Sequence, residues 1–263
     1  MPEGSDTLIS HSSARLRSLR STGLVLVLVA AATACSPSIY AWTVRTHSTP
    51  PSGSFHPAVL EDEPVAIFEA QAPGGLRGNE LGLASYLADI LAAVAPKIKV
   101  VSPQHTATRI NTGGLAAEYL RMRTDFEHTN MLEAASLQKL GAAIGARYVF
   151  QPRLGAFTQT MTNRWTPIDL RIVQTRSSVL RLSLQLWDSH TGEPIWSSVA
   201  EAIVSGESFS QDPVFLEDAA RLALGSAVAD LLRGKTASTY TTLSEFLNKL
   251  IQPPPEEQKP PTP

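Results

Sequence analysis

The 263-residue chain has one cysteine, Cys35, so no disulfide can form within it. Its longest apolar run, Gly23 to Ala34, is about a dozen residues, short of the roughly 20 that a membrane-spanning helix needs. Charge is scarce and balanced: 17% of residues are charged and the formal net charge is −2. Without a basic excess, nothing points to nucleic acid as a partner. The six histidines, His11, His47, His56, His105, His128 and His190, stand singly, with no His-x-x-x-His or Cys/His spacing for zinc. Gly74-Gly75-Leu76-Arg77-Gly78 lies between a strand and a helix but lacks the Gly-Lys-Ser/Thr ending of a phosphate loop. No Gly-x-Ser-x-Gly elbow is present either. The acidic groups Glu61-Asp62-Glu63 and Glu217-Asp218 fall at element starts, where they favour a helix dipole or solvate the chain. These absences read as a non-enzymatic protein without a cofactor or metal, an enzyme being the second alternative after the pore subunit described below.

What is present begins at the amino terminus. Arg15, Arg17 and Arg20 precede the apolar run, which ends in Ala32-Thr33-Ala34-Cys35-Ser36. A positive segment, a short apolar core and small residues at its end are the layout of a secretory signal. The ending resembles the lipobox of bacterial lipoproteins, with Ala32 where leucine is usual. That resemblance implies cleavage between Ala34 and Cys35 and a diacylglycerol and N-acyl lipid on Cys35. Ser36 after the cysteine further implies the periplasmic face of the outer membrane. Acyl chains contribute roughly 0.8 kcal/mol per buried methylene, so two or three hold a protein on a bilayer without a spanning helix. Ala32-Thr33-Ala34 also fits an ordinary secretory cleavage site, which would leave Cys35 as the first mature residue.

Beyond the signal at 1–34, residues 35–62 read as a lipidated terminus and flexible tether, because Ser- and Pro-rich composition buries little apolar area. Residues 63–233 alternate strand and helix patterns. Pro64–Ala70 suits a buried strand, Leu81–Val94 carries helical apolar spacing up to Pro96, and Ile98–Val101 is a second strand. Residues 103–128 read as polar and irregular, with a helical piece at Leu115–Met122. Asn130 followed by Glu133 predicts a capping box for a helix that Gly145 ends. After the strand from Tyr148, Leu180, Leu182, Leu184 and Leu186 alternate with polar residues, Asp188–Gly192 turns, and Pro194–Val204 returns. Asp212 and Pro213 open a last helix that Gly234 closes. Residues 234–251 read as a short helix (Leu243 to Ile251) and linker, and 252–263 as a disordered Pro-rich tail. The expected fold is an α/β (α+β) sandwich: a mixed sheet with helices packed mainly on one face, in the order β-α-β-(α)-α-β-β-β-α.

Leu137-Gln-Lys-Leu-Gly-Ala-Ala-Ile-Gly-Ala-Arg-Tyr-Val-Phe150 and Leu182-Ser-Leu-Gln-Leu-Trp-Asp-Ser-His-Thr-Gly-Glu-Pro-Ile-Trp-Ser197 resemble a helix-strand-hairpin signature of small envelope proteins. Those groups are the curli-secretion lipoproteins, the amino-terminal domain of the Tol-system β-propeller protein, and lipoprotein activators of cell-wall synthases. The resemblance implies an assembly, tethering or regulatory module held on the membrane by lipid and acting on an envelope protein. A homo-oligomer is compatible with it. One alternative is a subunit of an oligomeric outer-membrane pore, since the hairpin 180–204 alternates as a lipid-facing barrel strand does. Arg153, Arg164, Trp165, Arg176, Arg181 and Trp187 stand as a candidate partner-binding face, because Arg and Trp are enriched at interface centres. A solvated sheet face is the other reading of the same residues.

Overall fold

The structure, a computed structural model, describes residues 39–53, 55–166, 171–208 and 215–241. The signal, Cys35, Asp212 and Pro213, the Leu243–Ile251 stripe and the tail lie outside these residues. Among the described residues seven strands form one mixed sheet in the order β3-β2-β4-β5-β6-β1-β7. They are β1 (Ile39–Ser48), β2 (Val65–Ile67), β3 (Val100–Val101), β4 (Tyr148–Thr166), β5 (Arg171–Asp188), β6 (Glu193–Ser208) and β7 (Ala237–Thr241). β2 pairs in parallel with β3 and β4, and every other pairing is antiparallel. Among the described residues the α-helices are α1 (Val59–Asp62), α2 (Glu80–Val94), α3 (Pro103–Thr112), α4 (Ala116–Thr129), α5 (Ala134–Ile144) and α6 (Leu216–Arg233). A mixed sheet with helices is thus as the sequence leads one to expect.

The leucine alternation sets the centre. Leu180, Leu182, Leu184 and Leu186 are buried on the face that α2 and α6 cover. α6 sits close because it presents small residues, Ala220, Ala223 and Ala227, between Leu224, Val228 and Leu231. Their burial also removes the lipid-facing reading of hairpin 180–204: its apolar side is core.

Helices cover both faces rather than mainly one. Along β2, Val65 and Ile67 join α2 and α6, whereas Ala66 and Phe68 pack with Ile110, Phe126 and Leu140 of α3, α4 and α5. The crossovers explain this. From β2 the chain moves outward to β3, then returns past β2 to β4, and two right-handed crossovers in opposite directions must use opposite faces.

Four further expectations are corrected. The segment read as a tether supplies β1, which lies between β6 and β7 with Trp42 and Val44 buried. Its pattern hides because two of its inward positions are polar. Thr46 donates to the Asp230 carboxylate and the Ser48 hydroxyl to Ser198 Oγ at 2.9 Å, so neither needs an apolar side chain to be buried. Residues 103–128 are α3 and most of α4, polar because each buries only a narrow stripe, such as Met122 and Phe126. Finally, Asn130 is no N-cap. It adopts the left-handed conformation that ends α4 (φ 57°), and Glu133 itself caps α5 by accepting from Ala135 and Ser136 N–H. The linker 234–251 likewise begins with β7, which closes the sheet edge beside β1.

Candidate functional site

Of the six residues expected to form one binding face, the four whose side chains are described, Arg153, Arg176, Arg181 and Trp187, do not form one together. Trp187 is 1% exposed in the core beneath α3, α4 and α5, its indole N–H donating to Gln185 Oε1 at 3.0 Å. Arg153 is half-buried and fastens the end of α4, donating to Asn130 Oδ1 at 2.9 Å and lying 6.0 Å from the Phe126 ring. Arg181 is exposed and paired with Glu201 across the β5–β6 ladder. Arg176 stands opposite Met161, farther along β5. Backbone pairing puts Arg164 opposite Val173 and Trp165 opposite Ile172, near the far end of the β4–β5 ribbon.

A concave site lies elsewhere, at the sheet end where β4 and β6 begin and β5 finishes. It is a cleft of about 530 Å³ walled by the 52–63 segment and the β5–β6 turn. The turn is built as its sequence dictates. Asp188 Oδ1 accepts from His190 N–H at 2.8 Å, and Gly192 takes φ 77° where a Cβ would collide with Ala134.

Arg147 and Tyr148 enter from the α5–β4 junction, directly after the left-handed Gly145. Arg147 donates through Nε and Nη2 to Asp188 Oδ2 at 3.2 and 3.1 Å, and lies 3.9 Å from Glu63 Oε1. Its guanidinium stands 5.2 Å from the Tyr148 ring centroid, within cation–π range. The hydrogen bond to Asp188 raises the Arg147 pKa, so the cation is fixed. Burial raises that of the Tyr148 phenol against the opposing pull of Arg147, keeping it neutral. Phe55 meets Tyr148 edge to face at 5.7 Å.

Four carboxylates, Asp62, Glu63, Asp188 and Glu193, surround that single guanidinium, while Phe55, Tyr148, Val59 and Ile195 give apolar wall. Asp62 and Glu193 are exposed. The arrangement can accept a cationic group alongside apolar surface, as a basic peptide segment would offer. No histidine, serine–base pair or cysteine lines it. Among the described residues no group of three or more His, Cys, Asp or Glu is placed to hold a metal ion. Reading the sequence missed this site because its parts looked like other things: Phe55 like tether, Asp188 and Glu193 like turn residues, Arg147 and Tyr148 like a helix-to-strand junction.

No family model and no curated protein matches the sequence. Among solved structures the chain is similar to a PelC dodecamer from Paraburkholderia phytofirmans, at 16% identity and TM-score 0.43 over 72% of this chain and 97% of that one. It is also similar to the LpoB C-terminal domain from Salmonella enterica, at 18% identity and TM-score 0.33 over 53% and 81%. A lipoprotein from Neisseria meningitidis follows at 15% identity and TM-score 0.31 over 65% and 96%. With every TM-score below 0.5, none of these likenesses assigns this chain a function.

Proposed function

We propose that the protein is a lipid-anchored, non-enzymatic module of the periplasmic face of the outer membrane that engages an envelope protein through the cleft around Arg147. The observation that carries this reading is the placement of two candidate contacts at opposite ends of one sheet. β1 starts at Ile39, four residues after Cys35, and pairs there with Glu207 near the end of β6. The cleft lies at the start of β6, by Glu193. β6 has 16 residues, so at about 3.3 Å per residue the two ends are roughly 50 Å apart. A lipid on Cys35 would hold one end at the bilayer while the sheet presents the cleft away from it. The reach that a flexible tether was expected to give is supplied by the fold. Among the described residues no helix is long and apolar enough to cross a membrane.

Intact mass of the membrane-bound protein tests the anchor. A mass equal to residues 35–263 plus acyl chains is expected, with Cys35→Ala released to the soluble fraction; an unacylated soluble wild type overturns it. A photo-crosslinking residue at Thr191 tests the cleft in cells. A discrete protein adduct is expected that charge reversal at Asp62 and Glu193 removes, and an adduct indifferent to that reversal overturns the cleft as the contact.

A further inference from the structure

β2 covers only the beginning of β4. Its line of backbone bonds runs on past Ile67: Phe68 N–H donates to Phe150 O at 3.0 Å, Gln71 N–H to Pro152 O at 3.0 Å, and Leu154 N–H to Gln71 O at 2.7 Å. There the chain turns off, since Pro73 has no N–H with which to continue the ladder. β4 goes on, and among the described residues its strand partner from that point is β5, on one side. From Gly155 to Thr162 every residue except Phe157 is exposed. The stretch Ala156-Phe-Thr-Gln-Thr160 contains neither a charge nor a proline, the devices that ordinarily keep a strand edge from pairing.

A cavity of about 320 Å³ sits where β2 leaves this edge, walled by Gln71, Pro73, Glu127, His128, Arg153 and Gly155. Gln71 is 7% exposed and is held by donation from Nε2 to Arg123 O at 2.9 Å, which makes that wall firm. Gly155 is the extra residue at the register shift between Leu154 and Ala156, and it has no side chain to obstruct the approach of a second backbone.

The charge of the cavity is set by Arg153. Arg123, Arg147 and Arg221, half-buried as it is, each pair with a carboxylate. Arg153 donates instead to neutral oxygens, from Nη1 to Asn130 Oδ1 at 2.9 Å and from Nη2 to Glu127 O at 3.4 Å, and among the described residues no carboxylate pairs with it. The end of α4 that it fastens carries about half a negative charge, so part of the cation is left unanswered. The Glu127 carboxylate on the same wall is offset by Arg77, 3.8 Å away. The complement of this cavity is one anion.

A strand laid along the β4 edge towards Arg153 has to stop there, because the line beyond is already filled by β2 through the Gln71–Arg153 bridge. An internal Asp or Glu would need its chain to continue through β2. An extended backbone that ends in an anion is the carboxyl terminus of a polypeptide. It runs towards the cavity while β4 runs away from it, so it lies antiparallel to β4.

We propose that the β4 edge from Gly155 to Thr160, together with the cavity at Arg153, binds the C-terminal segment of a partner protein as an added antiparallel strand, with its terminal carboxylate at Arg153. Main-chain hydrogen bonds supply affinity in such a mode, and the cavity wall selects the last side chain. The site is separate from the Arg147 cleft. Glu63, just before β2, lines the cleft, and Gln71, just after β2, lines this cavity.

The full-length protein would be screened against hexapeptides with random last four residues and free carboxyl termini, and the tightest binders remade as C-terminal amides. Amidation is expected to weaken binding about tenfold or more, the worth of a charge-assisted hydrogen bond. Bound peptide should slow backbone amide exchange within 155–160. Arg153→Gln should bind acid and amide alike, whereas Arg153→Lys, which keeps the charge, should keep the preference for the acid; an Arg153 that only fastens α4 would shift both affinities together. The comparison of acid with amide in wild type stands whether or not either variant folds. No library member binding more tightly than about 1 mM, binders indifferent to amidation, or protection that falls outside the β4 edge would each overturn the proposal.

Discussion

Asp230 is the most consequential single residue of the fold outside the cleft. Fully buried on α6, its carboxylate accepts from Thr46 of β1 and, at 2.7 and 2.6 Å, from the Ser238 and Tyr240 hydroxyls of β7. Three donors from two strands thus converge on one helix residue. Removing the acceptor strands all three, each at a desolvation cost. Asp230→Ala is therefore expected to lose about 2–4 kcal/mol in urea unfolding; a loss under about 1 kcal/mol would show that the hydroxyls find other partners. The phenols make a second statement at this scale. Burial, aided at Tyr240 by the hydrogen bond to Asp230, pushes the Tyr119 and Tyr240 pKa values up to about 12 from 10.0. A phenol whose pKa is higher in the folded state stabilises the fold fully below pH 10 and stops doing so as pH rises through about 12. Stability should hold to about pH 10 and then fall, with Tyr119→Phe and Tyr240→Phe flattening the fall. Absorbance at 295 nm alongside thermal melts checks this, and complete phenolate formation by pH 10 in folded protein would refute it.

At the scale of elements, legibility followed how much of a segment's inward face is apolar. Leu180–Leu186 buries every second residue as leucine, and α6 buries an unbroken run from Leu222 to Leu231 made mostly of alanine, leucine and valine, so both show in the sequence. β1 buries Trp42 and Val44 but then Thr46 and Ser48, whose acceptors lie 184 and 150 residues away, so half its signal depends on partners the local sequence does not contain. β7 buries only Tyr240 and has the same difficulty. β1 is nonetheless central: it fills the gap between β6 and β7 and places Trp42 and Val44 under α6. A chain lacking 39–48 is expected to lose its cooperative thermal transition by circular dichroism, whereas one lacking 36–38 keeps it. Cooperative melting without β1 would return the segment to the status of a tether.

The whole molecule is organised along the length of its long strands. One end holds Arg147 fixed between Asp188 and Glu63 over Tyr148, inside an acidic cleft with aromatic wall. The other holds the start of β1 and the far pairs of β4 and β5. Neither end could be assembled from sequence order: the cleft draws on residues 52 to 195, and the candidate face drawn from Arg and Trp positions is scattered between core, helix end and open sheet. Arg153 and Trp187 are enriched residue types put to structural use, which composition cannot distinguish from a binding role.

The sequence alone determined the class of fold, the central leucine strand with its Asp188–Gly192 turn, the Gly145 and Gly234 helix ends, and the signal-like terminus around Cys35. Each is written in neighbouring residues, through side-chain period, backbone freedom or run length. Only the tertiary structure decided that β1 is a strand, that helices cover both faces, and which charged residues meet around Arg147. Those outcomes depend on crossover direction and on hydrogen-bond partners far away in the chain, and no local pattern carries either.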